Sequence, residues 1–116
     1  MSKSNTFENA FLLLVFNNTA ITLIGDAGGL LPSATAGSLY VSLHTDDPGE
    51  AGGQTTNETS YTNYTRQAVA RSGSGWTVSG DTASNAALLQ FPTCGASGAT
   101  LTHFGIGTAS SGGLVS

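Results

Sequence analysis

Charge is scarce in this chain of 116 residues: only 9 % are Asp, Glu, Lys or Arg, against about 25 % in ordinary soluble domains. Lys3, Arg66 and Arg71 are the only Lys or Arg residues, and Asp81 is the last acid, so residues 82 to 116 carry no Asp, Glu, Lys or Arg. With a net charge of -4, the chain lacks the clustered cations that phosphate binding requires, which argues against a nucleic-acid partner. Two readings fit the missing charge. The surface is covered by other subunits, or it is the neutral exterior of a β-domain. Cys94 is the only cysteine, which excludes an intramolecular disulfide and CxxC-type zinc or redox motifs and suits a reducing compartment. Long apolar runs are missing too. Asn17, Asn18, Thr19 and Thr22 interrupt residues 10 to 24, short of the roughly 20 apolar residues of a membrane span, and without a basic flank or cleavage site the stretch is not read as a signal peptide.

What is present begins with a helical pattern. Asn5 and Glu8 have capping-box spacing. Phe7, Phe11, Leu14, Asn18 and Ile21 then recur at alternating intervals of four and three, the seam period of packed helices, and predict a helix over residues 6 to 24. Leu12, Leu13, Val15 and Phe16 lie off the seam, so this helix is apolar nearly all round and must be buried on more than one side. It either lies across its own β-domain or packs between subunits, with Asn18 fixing register in a trimeric bundle. Gly25, Gly28, Gly29 and Pro32 end it and form a linker.

The remainder reads as β. Leu39, Val41 and Leu43 alternate with Tyr40, Ser42 and His44, the period of a strand. Further runs near 64 to 71, 75 to 79, 83 to 91 and 99 to 107 are separated by Gly, Ser, Asp or Pro. Glycines 73 and 75 with Ser74, and Gly80 with Asp81, make the joints. Short strands without crossover helices predict a mainly β, antiparallel β-sandwich or jelly-roll-like domain preceded by one N-terminal α-helix. The expected organisation is an arm and helix over 1–24, a Gly-rich linker over 25–38 and a β-domain over 39–116. Its expected core is Trp76, Val78, Leu89, Phe91, Phe104 and Ile106.

The strand at 39 to 44 runs directly into Thr45-Asp46-Asp47-Pro48-Gly49-Glu50-Ala51-Gly52. Pro48 has no ladder donor, Gly49 invites positive φ and the acids bond their own backbone, so an exposed acidic loop follows. A loop of this length, from Thr45 to Ser60, is commonly functional or disordered. Asp46, Asp47 and Glu50 are the candidate ligands for a hard cation, but the order of an EF-hand loop is missing and solvated turn acids are the simpler reading. His44 and His103 sit on different predicted strands and could meet, yet neither a Gly-x-Ser-x-Gly elbow nor a zinc-protease helix supports catalysis. Gly105-Ile106-Gly107 lacks the third glycine and following helix of a dinucleotide fingerprint, and fits a bulge or close backbone approach. Three Asn-x-Thr sequons, at Asn17, Asn57 and Asn63, read as chance products of an Asn- and Thr-rich sequence.

The wording LYVSLHTDDPGEAG from Leu39 to Gly52 resembles a family of small tailed-bacteriophage virion proteins, labelled tail-fibre-like, minor tail or head-decoration proteins. The run from Tyr61 to Arg71, Gly75-Trp76-Thr77-Val78-Ser79-Gly80 with Ser84-Asn85-Ala86-Ala87, and Thr102 to Gly107 resemble its later strands in order. Relatives continue with further strands past the position of Leu114-Val115, so this chain is a short member or lacks C-terminal strands. The resemblance implies a non-enzymatic virion structural protein without cofactor, made in the bacterial host cytoplasm. Its first expected role is a capsid decoration (cement, minor capsid) protein on the major capsid lattice, as a homotrimer. The alternative is a tail-fibre or minor tail protein touching a host receptor. The expected interface is Phe7, Phe11, Leu14, Asn18 and Ile21. The expected contact loop comprises Asp46, Asp47, Pro48 and Glu50 with Tyr61 and Tyr64.

Overall fold

The computed structural model describes residues 3–22, 24 and 29–112. The chain is mainly β with antiparallel sheets and one N-terminal helix, α1 (Asn5–Asn17). The strands are β1 (Ser38–His44), β2 (Gln67–Ala70), β3 (Trp76–Ser79), β4 (Thr82–Asn85) and β5 (His103–Gly107). They form a three-stranded sheet in the order β2-β1-β5 and a two-stranded sheet of β3 and β4. The residues group into two compact units, one of Met1–Gly37 with Ala70–Leu88 and one of Ser38–Val69 with Leu89–Ser116.

In the first unit α1 packs on the β3-β4 hairpin. Ser4 caps the helix, its Oγ accepting from the Phe7 amide at 3.2 Å, so the cap lies one residue before the Asn5 expected from the capping-box spacing. The helix also stops seven residues short of the expected Ile24. Asn18 takes the left-handed conformation (φ 54°), which Asn tolerates better than most residues, and its amide and that of Thr19 both donate to the Leu13 carbonyl. The four-and-three spacing therefore continues past the helix: Asn18 is its cap, and Ile21 lies beyond it in an isolated bridge to Leu30. Gly25 and Gly28 of the expected linker lie outside the described residues.

Arg71 completes that helix end from the far side of the sequence. The last turn of α1 holds no basic residue of its own, yet the final carbonyls of a helix need donors and favour a cation. The Arg71 guanidinium donates to the carbonyls of Leu14 and Val15, each at 2.7 Å, and to that of Ala36 at 3.0 Å. Asn17, with its amide nitrogen turned toward the carbonyls, donates to Ser72 and Trp76 at 3.2 and 3.0 Å. Trp76, 4 % exposed, meets Phe16 edge-on with centroids 4.9 Å apart. The hairpin turns at Gly80 and Asp81, where only Gly80 has positive φ (60°), the type II′ pattern, and Asn9 donates to the Gly80 carbonyl at 2.7 Å.

In the second unit β1 is the central strand, covered on both faces. Leu39 and Val41 are buried on one, Ser42 and His44 wholly buried on the other. β5 runs antiparallel to β1, with Gly107 opposite Tyr40, Gly105 opposite Ser42 and His103 opposite His44. The two glycines of β5 allow the close approach their spacing suggested. A Cβ on Gly105 would sit 2.9 Å from His44 Nε2 and 3.0 Å from Ser42 Oγ, and one on Gly107 would overlap Gln54. Gln54, fully buried, donates to the Tyr40 carbonyl at 3.2 Å and accepts from the Ala109 amide at 3.2 Å.

The expected core needs correction. Trp76 is buried, but Val78, Leu89, Phe91 and Ile106 are half-buried and Phe104 is 69 % exposed. Among the described residues the buried apolar side chains are Ile21, Leu39, Val41 and Trp76. β4 ends at Asn85 and β5 begins at His103, so the segment from 86 to 102 that was expected to be mostly strand is irregular. Ala, Ser, Thr and Gly dominate it, and such residues bury too little apolar area to hold a ladder in place.

Candidate functional site

The loop from Thr45 to Ser60 is an ordered fold rather than a free projection. Its ends are tied, Thr45 N to the Asn57 carbonyl and Thr59 N to the Leu43 carbonyl, each at 2.9 Å. Its acidic tip is exposed. There Asp46 Oδ1 accepts from Asp47 N and Asp47 Oδ1 from Gly49 N, both at 2.8 Å, and the Asp47 carbonyl accepts from Asn57 Nδ2 at 3.0 Å. Asp46, Asp47 and Glu50 are exposed and Pro48 is half-buried. Among the described residues no group of three or more His, Cys, Asp or Glu is arranged to hold a metal.

His44 and His103 are cross-strand partners, but their surroundings differ. His44 is wholly buried, with Nδ1 2.8 Å from the Thr56 carbonyl and Nε2 2.9 Å from Ser42 Oγ. The Thr56 carbonyl can only accept, so Nδ1 carries a hydrogen; Ser42 Oγ also reaches the Gly105 carbonyl at 3.4 Å. This Ser-His pair is sealed from any substrate and joins the loop to the sheet. His103 is exposed and bonds Thr102 Oγ1 at 2.8 Å.

A recess lies beside the loop's C-terminal end. It is an open cleft of about 440 Å³ lined by residues 58–61 and 63–66 on one side and Ser110, Ser111 and Gly112 on the other. Tyr61 and Tyr64, both expected in the contact surface, lie at the two ends of a turn closed by Tyr64 N to the Tyr61 carbonyl at 2.9 Å, with Asn63 at φ 77°. Their rings meet edge-on at 5.4 Å, and Phe91 stacks parallel to Tyr64 at 6.3 Å. Thr62 anchors the turn: its amide donates to Ser97 and its carbonyl accepts from Gly95, at 3.1 and 2.9 Å. The Tyr61 hydroxyl donates to the Pro92 carbonyl at 2.8 Å.

Glu58 and Arg66 form the cleft's base, and sequence reasoning assigned them no role. Arg66 Nε donates to Glu58 Oε1 and its Nη2 to Oε2, both at 2.7 Å, with the arginine side chain 3 % and the glutamate 15 % exposed. Arg66 Nη1 donates to the carbonyls of Ala109 and Gly112 at 2.8 and 2.7 Å. The Tyr64 hydroxyl donates to Glu58 Oε1 at 2.7 Å and accepts from Leu43 N at 3.1 Å. Burial pushes the Glu58 carboxyl up, but its bonds from Arg66 and Tyr64 outweigh that and hold it below the usual 4.5. Burial and the Glu58 carboxylate together push the Tyr64 phenol up to about 12. Bonding to Glu58 raises the Arg66 guanidinium further above its usual range.

These shifts set the expected pH limits. Tyr64 is favoured neutral in the folded state, so its contribution is complete below pH 10.0 and disappears as pH rises toward about 12. Glu58 is favoured ionised, so its contribution is complete above pH 4.5 and disappears as pH falls through its lower folded value. Urea-unfolding midpoints measured against pH will show both limbs. Tyr64→Phe will flatten the alkaline one, and an unchanged alkaline limb in that variant would place its origin elsewhere.

An N-terminal helix and antiparallel sheets, with Arg66 and Arg71 engaged in internal bonds and the Ser42-His44 pair buried, make this a β-rich domain. The comparisons agree: the chain belongs to a family of tailed-phage virion proteins. The family model described as "Podophage GP4 fiber I protein gp80" matches residues 2–116. Comparison with curated proteins and with solved structures found no match.

Proposed function

We propose that this protein is a non-enzymatic fibre component of a tailed-phage particle, built from several copies of the chain and facing the host. The match to a fibre family over residues 2–116 is the observation that carries this reading, and it favours the fibre role over capsid decoration. The sealed Ser42-His44 pair supports a role without catalysis. Assembly in copies is supported by α1. A helix apolar nearly all round needs burial on more than one side, yet none of its residues is fully buried within one chain, and Phe7 and Phe11 are 39 % and 51 % exposed. A homotrimer seam using Phe7, Phe11 and Leu14 would cover that face. Asn18 and Ile21, expected in the same seam, are engaged within the chain: Asn18 brackets the backbone of Ser33 through two bonds of 2.8 and 2.9 Å, and Ile21 is 5 % exposed.

Particles lacking the chain test the role. A fibre protein contributes to many-point attachment, so its loss will lower adsorption to host cells by about tenfold or more while heads keep their heat resistance. Normal adsorption with heads that release their genome at lower temperature would contradict the fibre reading and restore the decoration one.

A further inference from the structure

From the chemistry of its walls, we infer that the cleft between the Tyr61–Tyr64 turn and the 110–112 segment binds a neutral saccharide; this rests on the fibre reading. The cleft's charges are spent internally. Four of the five Arg66 N–H groups bond Glu58 and the carbonyls of Ala109 and Gly112, and the side chain is only 3 % exposed, so it presents no open fork to an anion. Both Glu58 oxygens are occupied by Arg66 and Tyr64, leaving no carboxylate for a cation. What faces the opening is neutral. Ser60, Asn63, Ser110 and Ser111 are exposed, and their hydroxyl and amide groups bond no other described side chain or backbone group. Half-buried Tyr61 adds an aromatic ring, an apolar surface with a polar edge.

Hydroxyls and an amide beside an aromatic ring match a ligand with many hydroxyls and apolar C–H faces. They do not match a phosphate or a carboxylate, whose recognition uses free cations. The volume of about 440 Å³ falls in the range of about 300 to 1,000 Å³ typical of small-ligand sites. The walls are also held in place before any ligand arrives. Thr62 is tied to Gly95 and Ser97 and the Arg66 clamp fixes residues 109 and 112, which lowers the ordering cost of binding.

Ligand-observed saturation-transfer NMR on the full chain tests this with neutral oligosaccharides of glucose, galactose, mannose and rhamnose, and with oligogalacturonate and sialyllactose as acidic controls. At least one neutral sugar will receive saturation and the acidic ones will not. Ser111→Trp, on the rim, will weaken that binding by about tenfold or more, equivalent to about 1.4 kcal/mol, with an unchanged melting temperature. Ser60→Trp serves the same purpose from the opposite wall. Transfer to no neutral sugar, equal transfer to acidic sugars, or binding that survives both tryptophans in folded protein would overturn the inference. The two readings fail separately. Chain-dependent adsorption without sugar binding overturns only the saccharide, and sugar binding with chain-independent adsorption overturns the fibre role.

Discussion

Glu58→Gln will destabilise the protein by about 3 kcal/mol, read from urea unfolding at neutral pH. Removing one member of a buried ion pair costs about 3 to 5 kcal/mol because the remaining charge is left uncompensated. The remaining charge is that of Arg66, 3 % exposed and fixed at four points. The lower end of the range applies because Glu58 is 15 % exposed and glutamine keeps one acceptor for the Tyr64 hydroxyl. The double variant Glu58→Gln with Arg66→Met will be less destabilised than the sum of the singles, since it removes the stranded charge along with its partner. Additive losses would mean that the two side chains act independently, contrary to their paired 2.7 Å bonds.

Arg71→Met will cost about 2 to 4 kcal/mol, for a different reason. Among the described residues Arg71 bonds the carbonyls of Leu14, Val15 and Ala36 and Ser33 Oγ, and no carboxylate. Hydrogen bonds from a charged donor are worth about 1.5 to 3 kcal/mol each and do not add fully. Two of these carbonyls belong to the open end of α1, so hydrogen exchange will accelerate within residues 5–17 before it does so in β1 and β5. Arg71→Lys will recover less than half of the loss, because one ammonium cannot match a planar fork aimed at three carbonyls. Full recovery by lysine would reduce the role of Arg71 to charge alone.

The strands with strong local signals were legible from sequence. β1 alternates as its residues do, β3 and β4 meet at the expected Gly80-Asp81 turn, and β5 falls within the run around Gly105-Ile106-Gly107. The helix was legible in kind but not in length, because Asn18 continues an apolar spacing while adopting the left-handed conformation that ends it. Leu89 and Phe91 suggested strand by composition, but no ladder partner holds them. Tyr61 and Tyr64 line the cleft. Arg71 and Gln54 went unassigned because their partners lie at long separations, 57 residues for Arg71 to Leu14 and 55 for Gln54 to Ala109; Glu58 and Arg66 are only eight residues apart, but they sit in irregular backbone where no helical or strand period pairs them. One signal for the arginines was present: in a chain with three basic residues, two placed beside β-strands are too few to form a charged surface and were available for interior use.

A residue-resolution reconstruction of the phage particle tests the central claim most directly. The fibre account predicts this chain in a few copies at the tail, with Phe7 and Phe11 covered by neighbouring copies and the cleft at Tyr61 and Ser111 open to solvent. Many copies spread over the head lattice, seated on the major capsid subunits, would contradict it.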